Sequence, residues 1–211
     1  IFPVIFRKVD SVCYTRERIE TFDNDFIDLD WSSNGHNRLV IISHGLEGNT
    51  DRAYVRGMVK AINKSGWDAL AWNYRSCSGE PNRLLRSYHN GVTDDLSRVI
   101  DHAGHRHPYK EIALVGFSLG GNLTLLYLGR ETPDPIVKKA VVFSVPCDLK
   151  ESARALAKPV NKLYMKRFLV MLHHKIKAKM EILPDLINDK GYEKIKDFKA
   201  FDDRYTAPIH G

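Results

Sequence analysis

Hydrophobic and polar residues alternate in the N-terminal part of the chain, and the pattern then changes to short continuous apolar runs. The alternation covers residues 14–20 and 26–31, with Asp23-Asn24 between the two segments. A period of two around a turn-forming pair predicts an antiparallel β-hairpin at the edge of a sheet. The run at 39–42 is apolar throughout, which indicates a strand buried on both faces.

Buried strands then alternate with segments of helical spacing. Strand patterns occur at 39–42, 67–72, 111–117 and 137–145, and helical patterns at 54–64, 92–105 and 119–128. This alternation predicts βαβ units with right-handed crossovers, which build a mostly parallel sheet with helices on both faces. The predicted class is therefore α/β.

Strand patterns end at residue 145. Residues 149–180 have helical spacing with a new helix start at Pro159, and 184–188 and 193–201 resemble short helices. We predict a core over 1–148, a helical cap over 149–201, and the start of a return to the core over 202–211. The chain begins without Met and stops in a loop-like run, so we expect it to be a fragment.

Composition excludes several classes of protein. The 211 residues are 43% hydrophobic, and no run approaches the roughly 18 apolar residues of a membrane span. The net charge of +6 is too small and too local to predict nucleic-acid binding. Three cysteines without CxxC spacing predict reduced thiols and a cytoplasmic location.

The sequence GFSLG at 116–120 carries the main functional signal. GxSxG alone is common by chance, but here it follows a predicted strand and opens a predicted helix, which is the setting of a nucleophile elbow. The strained turn requires glycine two positions before and after the serine, and Gly116 and Gly120 meet that need. We predict Ser118 as a catalytic nucleophile; the alternative is a glycine-rich turn with a serine cap.

A second element follows the first buried strand. An elbow needs another backbone donor from a loop after an earlier strand, and the sequence HGLEG at 44–48 provides a flexible turn there. We predict an oxyanion hole formed by the backbone N–H groups of Leu46 and Leu119. His44, at a strand end, is expected to be structural.

Five motifs in this order resemble the AB hydrolase 4 family, the YheT-like α/β-hydrolases, over the whole chain. They are HGLEG at 44–48, NYRSCSGEP at 73–81, YHxGxxxDL at 88–96, GFSLGGN at 116–122 and SVPCDL at 144–149. The resemblance implies an α/β-hydrolase fold, esterase activity on acyl esters, and Ser118 as the nucleophile of a Ser–Asp–His relay. Ser76 stands where the family often has glycine, and Arg75 is expected to order its loop.

The relay partners of the serine are not found among the predicted loops. On this fold the acid and the histidine follow later strands. No further strand is predicted beyond residue 145, and no candidate has a strand-then-loop setting. The candidates are Asp148, Asp185, Asp189, Asp197, Asp202, Asp203, His173, His174 and His210. The resemblance implies that both partners lie in a continuation, so we predict that the triad Asp and His are not in this chain. His210 is expected to be a loop residue.

No metal or cofactor is predicted. His102, His105 and His107 cluster without a cysteine or carboxylate at ligand spacing, and their place near a helix C-terminus suits the helix dipole. Cys77 and Cys147 are expected to be structural thiols.

Two other function classes stay open. A nucleotide-binding domain also has a strand, a glycine-rich turn and a helix, but this chain lacks GxGxxG and GK[ST]. A non-catalytic binding protein on a hydrolase scaffold is compatible with a chain whose relay partners are unseen. The sequence does not indicate an oligomeric state.

Most of the positive charge lies in the cap. Residues 150–180 hold nine basic side chains against Glu151 alone, and Lys150, Arg154, Lys158, Lys162 and Lys166 recur every four residues. An apolar inner side and a basic outer side would suit a small-molecule or lipid-like ester and weak contact with an anionic membrane surface. The simpler interpretation is a solvated lysine face.

Overall fold

The computed structural model describes residues 7–130 and 132–210, and within them six strands form one sheet. Residues 1–6 and 211, the outer ends of the predicted core and of the predicted return segment, lie outside the described residues. The strands are β1 (Thr15–Glu20), β2 (Phe26–Ser32), β3 (Arg38–Ser43), β4 (Asp68–Asn73), β5 (Glu111–Phe117) and β6 (Val137–Phe143).

The sheet is mostly parallel, as predicted. Its order is β1-β2-β4-β3-β5-β6, with β3 central. β1 and β2 form the predicted antiparallel hairpin, and β2 also runs antiparallel to β4. β4, β3, β5 and β6 are all parallel. The carboxyl ends of these parallel strands therefore meet at one edge of the sheet, where the loops after β3, β4, β5 and β6 lie.

Helices cover both faces because each buried strand is apolar on both sides. Along β3, Leu39 and Ile41 pack in one hydrophobic cluster while Val40 and Ile42 pack in another. The helices of the core are α1 (Ala53–Lys64), α2 (Thr93–Arg106) and α3 (Leu119–Arg130). α1 belongs to the cluster of Val40, and α2 and α3 belong to the cluster of Leu39.

The segment after β6 forms a helical cap with its own hydrophobic cluster. Its helices are α4 (Leu149–Ala157), α5 (Lys162–Ile182), α6 (Phe198–Phe201) and α7 (Ala207–His210), with 3-10 turns at Pro159–Asn161 and Tyr192–Lys194 and a π-helical turn at Asp202–Thr206. The break predicted at Pro159 is confirmed, because Pro159 opens the 3-10 turn between α4 and α5.

Two expectations for the cap are wrong in detail. Residues 184–188 form a turn rather than a helix, closed by the Leu186 N–H donating to the Leu183 carbonyl (3.1 Å). Residues 193–201 are not one helix, because the Asp197 side chain accepts from the Ala200 N–H (2.9 Å) and starts a separate helix. Residues 202–210 form helical turns, and Tyr205 packs in the cap cluster.

A buried arginine joins the hairpin, the loop after β4 and the start of α2. The Arg75 guanidinium is fully buried and makes two bonds of 2.8 Å to Asp95. It also donates to Asp23 (2.9 and 3.1 Å) and lies 3.4 Å from Asp25. All these partners lie outside the loop of Arg75, so the arginine connects that loop to the hairpin and to the start of α2.

Replacing this arginine should destabilise the fold strongly. Arg75→Met leaves the buried carboxylates of Asp95 and Asp25 without their cation, and breaking a buried pair from one side costs about 3–5 kcal/mol. Urea unfolding followed by circular dichroism measures the loss. Arg83→Met is the control, because Arg83 and its partner Glu20 are both exposed and such pairs contribute little. Equal midpoints for the two variants would contradict the assignment.

Candidate active site

Ser118 occupies a strained turn between β5 and α3. Its φ is 52°, in the left-handed region that non-glycine residues rarely adopt, and it is exposed. The turn is held on both sides: the Ser118 N–H donates to the Phe143 carbonyl (2.8 Å), and the Asn122 N–H donates to the Ser118 carbonyl (3.0 Å). Such a conformation costs about 1–3 kcal/mol and persists only where the surroundings enforce it.

The two glycines of the motif are required by close backbone contacts. A Cβ on Gly116 would lie 2.5 Å from the Gly120 carbonyl oxygen, and a Cβ on Gly120 would overlap the Ser43 carbonyl oxygen. Gly121 is equally restricted, since its Cβ would lie 2.6 Å from Val145 Cγ2. These contacts allow α3 to begin against the end of β3.

The loop after β3 leaves one amide free beside the elbow. The Gly45 N–H donates to Tyr54 Oη (2.9 Å) and the Glu47 N–H donates to Tyr88 Oη (3.0 Å). Between them, the Leu46 N–H has no acceptor within the described part of the chain. A Cβ on Gly45 would lie 3.4 Å from Ser118 Cβ, so the loop lies directly against the elbow.

Leu119 supplies a second amide at the same place. It is the first residue of α3, and the first amides of a helix have no intrahelical acceptor. Leu46, Ser118 and Leu119 line one cavity. The geometry therefore brings the predicted donors and the predicted nucleophile together at the carboxyl end of the parallel strands.

A mostly apolar cavity of about 330 Å³ lies between this end of the core and the cap. Ser118, Leu46 and Leu119 lie on its core side. The cap side includes Leu156, Phe168, Leu172, Ile176, Phe201 and Ile209. The cap side of the cavity therefore offers mostly hydrocarbon to a bound molecule.

Ser76 also borders the cavity, and its backbone explains a difference from the family pattern. Its φ is 60°, in the left-handed region that favours glycine. The turn is nevertheless held, because the Asn82 N–H donates to Ser76 Oγ (3.0 Å) and the Asn82 side chain accepts from the Ser76 N–H.

Two lysines of the cap point inward, which the sequence analysis missed. Lys175 Nζ lies 3.0 Å from Glu47 Oε1, and Lys179 Nζ donates to the carbonyls of Asn82 and Leu84. Burial lowers the pKa of Lys179 to about 8. The available signal was spacing: both lysines recur with Leu172 and Ile176 on the apolar side of α5, while Lys177 is exposed.

His44 is held inside the fold rather than at the cavity. Its ring Nδ1 lies 2.8 Å from the Gly45 carbonyl oxygen, and the Tyr74 N–H donates to Nε2 (3.3 Å). Burial lowers the pKa of His44 to about 3, so the ring is neutral at pH 7. These bonds fit the structural role expected for it.

Other histidines lie near the cavity without reaching the serine. His89 lines the cavity, and His210, in α7, stacks on it with ring centroids 4.4 Å apart and contacts Ser87 Oγ at 3.3 Å. Burial lowers the pKa of His210 to about 4. His173 pairs with Asp189 (2.8 Å) but stacks on a cap tyrosine away from the cavity.

No described side chain forms a hydrogen bond with Ser118 Oγ. His210 belongs to a helical turn, not to the loop expected for it. The acid and the histidine of a relay are therefore assigned to none of residues 7–130 and 132–210.

Groups for other chemistries are absent from the described residues. No three His, Cys, Asp or Glu side chains there are placed to hold a metal ion. Cys13, Cys77 and Cys147 are all unpaired, and Cys77 is buried. Among the described helices, none is long and apolar enough to cross a membrane.

Comparison with known proteins places the chain in a family. Residues 34–200 match the Hydrolase_4 family, described as "serine aminopeptidase, S33". The chain belongs to this family. The matched range includes the loop after β3, the elbow and most of the cap, so the family resemblance noted from the sequence is confirmed.

Two of the relatives carry the names of an esterase and a phospholipase. The chain is 34% identical to the putative esterase YheT of Escherichia coli over its full length, and 29% identical to the phospholipase ABHD3 of Bos taurus over 95% of it. It spans 64% of the length of the first relative and 51% of that of the second.

Solved structures confirm the fold. The Pyrococcus furiosus esterase Pf2001 superposes with a TM-score of 0.61 over 92% of this chain and 78% of its own, at 20% identity. The α/β-hydrolase fold is therefore shared.

The contact between Gly120 and Ser43 can be tested by adding one methyl group. Gly120→Ala should lower the stability of the fold by about 1–3 kcal/mol, because the new Cβ forces α3 away from β3. Gly129→Ala is the matched control on the same helix, where a Cβ meets nothing within 4 Å; it should be neutral or stabilise by about 0.5–1 kcal/mol. Thermal unfolding measures both, and equal effects would contradict the packing argument.

Proposed function

We propose that this protein is a serine hydrolase that cleaves carboxylic esters, with Ser118 as its nucleophile. The observation that carries the proposal is the left-handed Ser118 turn, which lies on an apolar cavity beside the unbonded amides of Leu46 and Leu119. A serine lifted clear of its neighbours next to two backbone donors suits acyl transfer.

The reaction proceeds in two steps. Ser118 Oγ attacks the ester carbonyl carbon, and the N–H groups of Leu46 and Leu119 donate to the oxyanion of the tetrahedral intermediate. The C–O bond to the alcohol breaks and leaves an acyl-enzyme, which water then hydrolyses to the carboxylic acid. A histidine accepts the serine proton and returns it to the leaving alcohol. No metal or cofactor takes part.

The cavity favours a lipid-like acyl group over a polar one. Its walls on the cap side are mostly aliphatic and aromatic. The names of the relatives, an esterase and a phospholipase, are consistent with an ester substrate. The family description names a peptidase, but the apolar pocket and the relatives favour esters.

Covalent labelling tests the nucleophile. Full-length protein should react with a fluorophosphonate probe and hydrolyse p-nitrophenyl butyrate, and Ser118→Ala should abolish both activities because the attacking oxygen is gone. Ser144→Ala is the matched control: Ser144 also has a left-handed φ (53°) and follows the neighbouring strand β6, but it does not line the cavity.

The same experiment separates the alternatives. Labelling that persists in Ser118→Ala would contradict the assigned nucleophile. Folded full-length protein that neither labels nor turns over esters would favour a non-catalytic binding protein on the hydrolase scaffold.

We further propose that the outer side of the cap contacts an anionic membrane surface. Val160 and Leu163, at the α4–α5 junction, are 85% and 80% exposed. Lys158, Lys162 and Lys166 beside them are exposed as well. Apolar side chains within a basic surface suit the boundary between acyl chains and anionic headgroups.

Vesicle binding measures this contact. Affinity for phosphatidylserine vesicles should exceed affinity for phosphatidylcholine vesicles and fall with salt. Lys162→Gln with Lys166→Gln should weaken it about 30-fold, from about 1 kcal/mol per lysine, while Lys64→Gln on the core should change it little. Binding that ignores both salt and the paired substitutions would contradict the proposal.

A further inference from the structure

A buried ion pair connects the cap to the loop that carries Leu46. Lys175 Nζ, on α5, lies 3.0 Å from Glu47 Oε1, and the two side chains are 21% and 4% exposed. Glu47 directly follows Leu46 in the chain. The ion pair is therefore one residue away from the Leu46 N–H, a proposed oxyanion donor.

Glu47 is held in an unusual backbone conformation by groups from three directions. Its φ is 53°, in the left-handed region. Tyr88 Oη accepts from the Glu47 N–H (3.0 Å) and donates to its carboxylate (2.5 Å), and Arg52 donates to its carbonyl (3.1 Å). Lys175 adds the cation that a buried carboxylate needs.

Lys175 contacts the core rather than the cap. Within the described part of the chain, its hydrogen-bonding and charged partners are all core residues. Nζ lies 4.4 Å from the centroid of the Tyr88 ring and 2.8 Å from Cys77 Sγ. Burial raises the pKa of the Cys77 thiol, so the sulfur is protonated at neutral pH. Glu47 is the carboxylate partner of Lys175 in this cluster.

Lys179, one turn along the same helix, provides a contrast. It is buried and donates to the carbonyls of Asn82 and Leu84. It therefore ties α5 to the core without any contact to the loop of Leu46. Lys179 therefore holds α5 against the core, whereas Lys175 contacts the loop of Leu46.

We propose that Lys175 is a positioning residue that fixes the Leu46–Glu47 peptide for catalysis when the cap is seated. The inference rests on the proposed function, since it assigns a role to the loop that holds the oxyanion. Without the ammonium, the Glu47 carboxylate turns toward water and the Leu46 N–H leaves its position. The apolar pocket, and with it ground-state binding, stays intact.

Steady-state kinetics of the full-length protein test this role. Lys175→Met keeps the apolar stem and removes the charge; it should lower kcat for p-nitrophenyl butyrate about 10- to 100-fold, below the loss from removing an oxyanion donor outright. KM should change by less than about threefold, because ground-state contacts remain. Lys175→Arg should recover part of kcat, since the charge is restored.

A tetrahedral inhibitor distinguishes positioning from a general loss of structure. In an alkyl trifluoromethyl ketone, the carbonyl carbon is attacked by the serine oxygen and becomes tetrahedral. Affinity for this inhibitor should fall in parallel with kcat in Lys175→Met. Lys177→Met is the matched control, because Lys177 lies on the same helix but is exposed and does not line the cavity; kcat and inhibitor affinity should stay within about threefold. Glu47→Gln removes the pair from the other side and should reproduce the kcat loss, which keeps the test available if Lys175→Met fails to fold.

The outcomes distinguish the positioning role of Lys175 from the proposed hydrolase function. Wild-type protein that fails to label with fluorophosphonate overturns the proposed function itself. Wild-type protein that labels normally, with folded Lys175→Met and Glu47→Gln at wild-type kcat and inhibitor affinity, overturns the positioning role alone.

Discussion

The close approach of α3 to the end of β3 is the constraint on which the rest of the site depends. Gly120 lies against the Ser43 carbonyl so tightly that no side chain fits between them. Because of this contact, the chain can leave β5, turn through a left-handed serine and enter a helix within three residues. The same contact brings the loop after β3 against the elbow, so that Leu46 and Leu119 share one cavity with Ser118.

The cap completes this arrangement in two ways. Its hydrophobic side chains form one side of the cavity that Ser118 lines, so the carboxyl edge of the sheet borders an apolar pocket. Its inward lysines are tied to core groups that the elbow does not use, which are Glu47 for Lys175 and two carbonyls for Lys179. A cap that only shielded the site would not need these cations, since burying each one costs solvation free energy.

Local sequence was sufficient to predict the elements whose hydrophobic residues recur with a regular period. The hairpin, the parallel strands, the break at Pro159 and the family followed from patterns that hold without knowledge of distant contacts. Short segments were harder: 184–188 has helix-compatible composition but only one turn-closing bond, and Asp197 restarts the helix by capping it. In these places single hydrogen bonds, which periodicity does not report, decide the outcome.

The sequence by itself determined the α/β class, the strand–turn–helix at GFSLG and the concentration of positive charge after residue 149. Only the tertiary structure decided which lysines face inward, that Arg75 joins three segments, and that Glu47 lies between Tyr88 and Lys175. The physical reason is the range of the interactions. Backbone propensity and hydrophobic period act over a few residues, whereas a buried charge is stable only beside a partner that the fold brings from far along the chain.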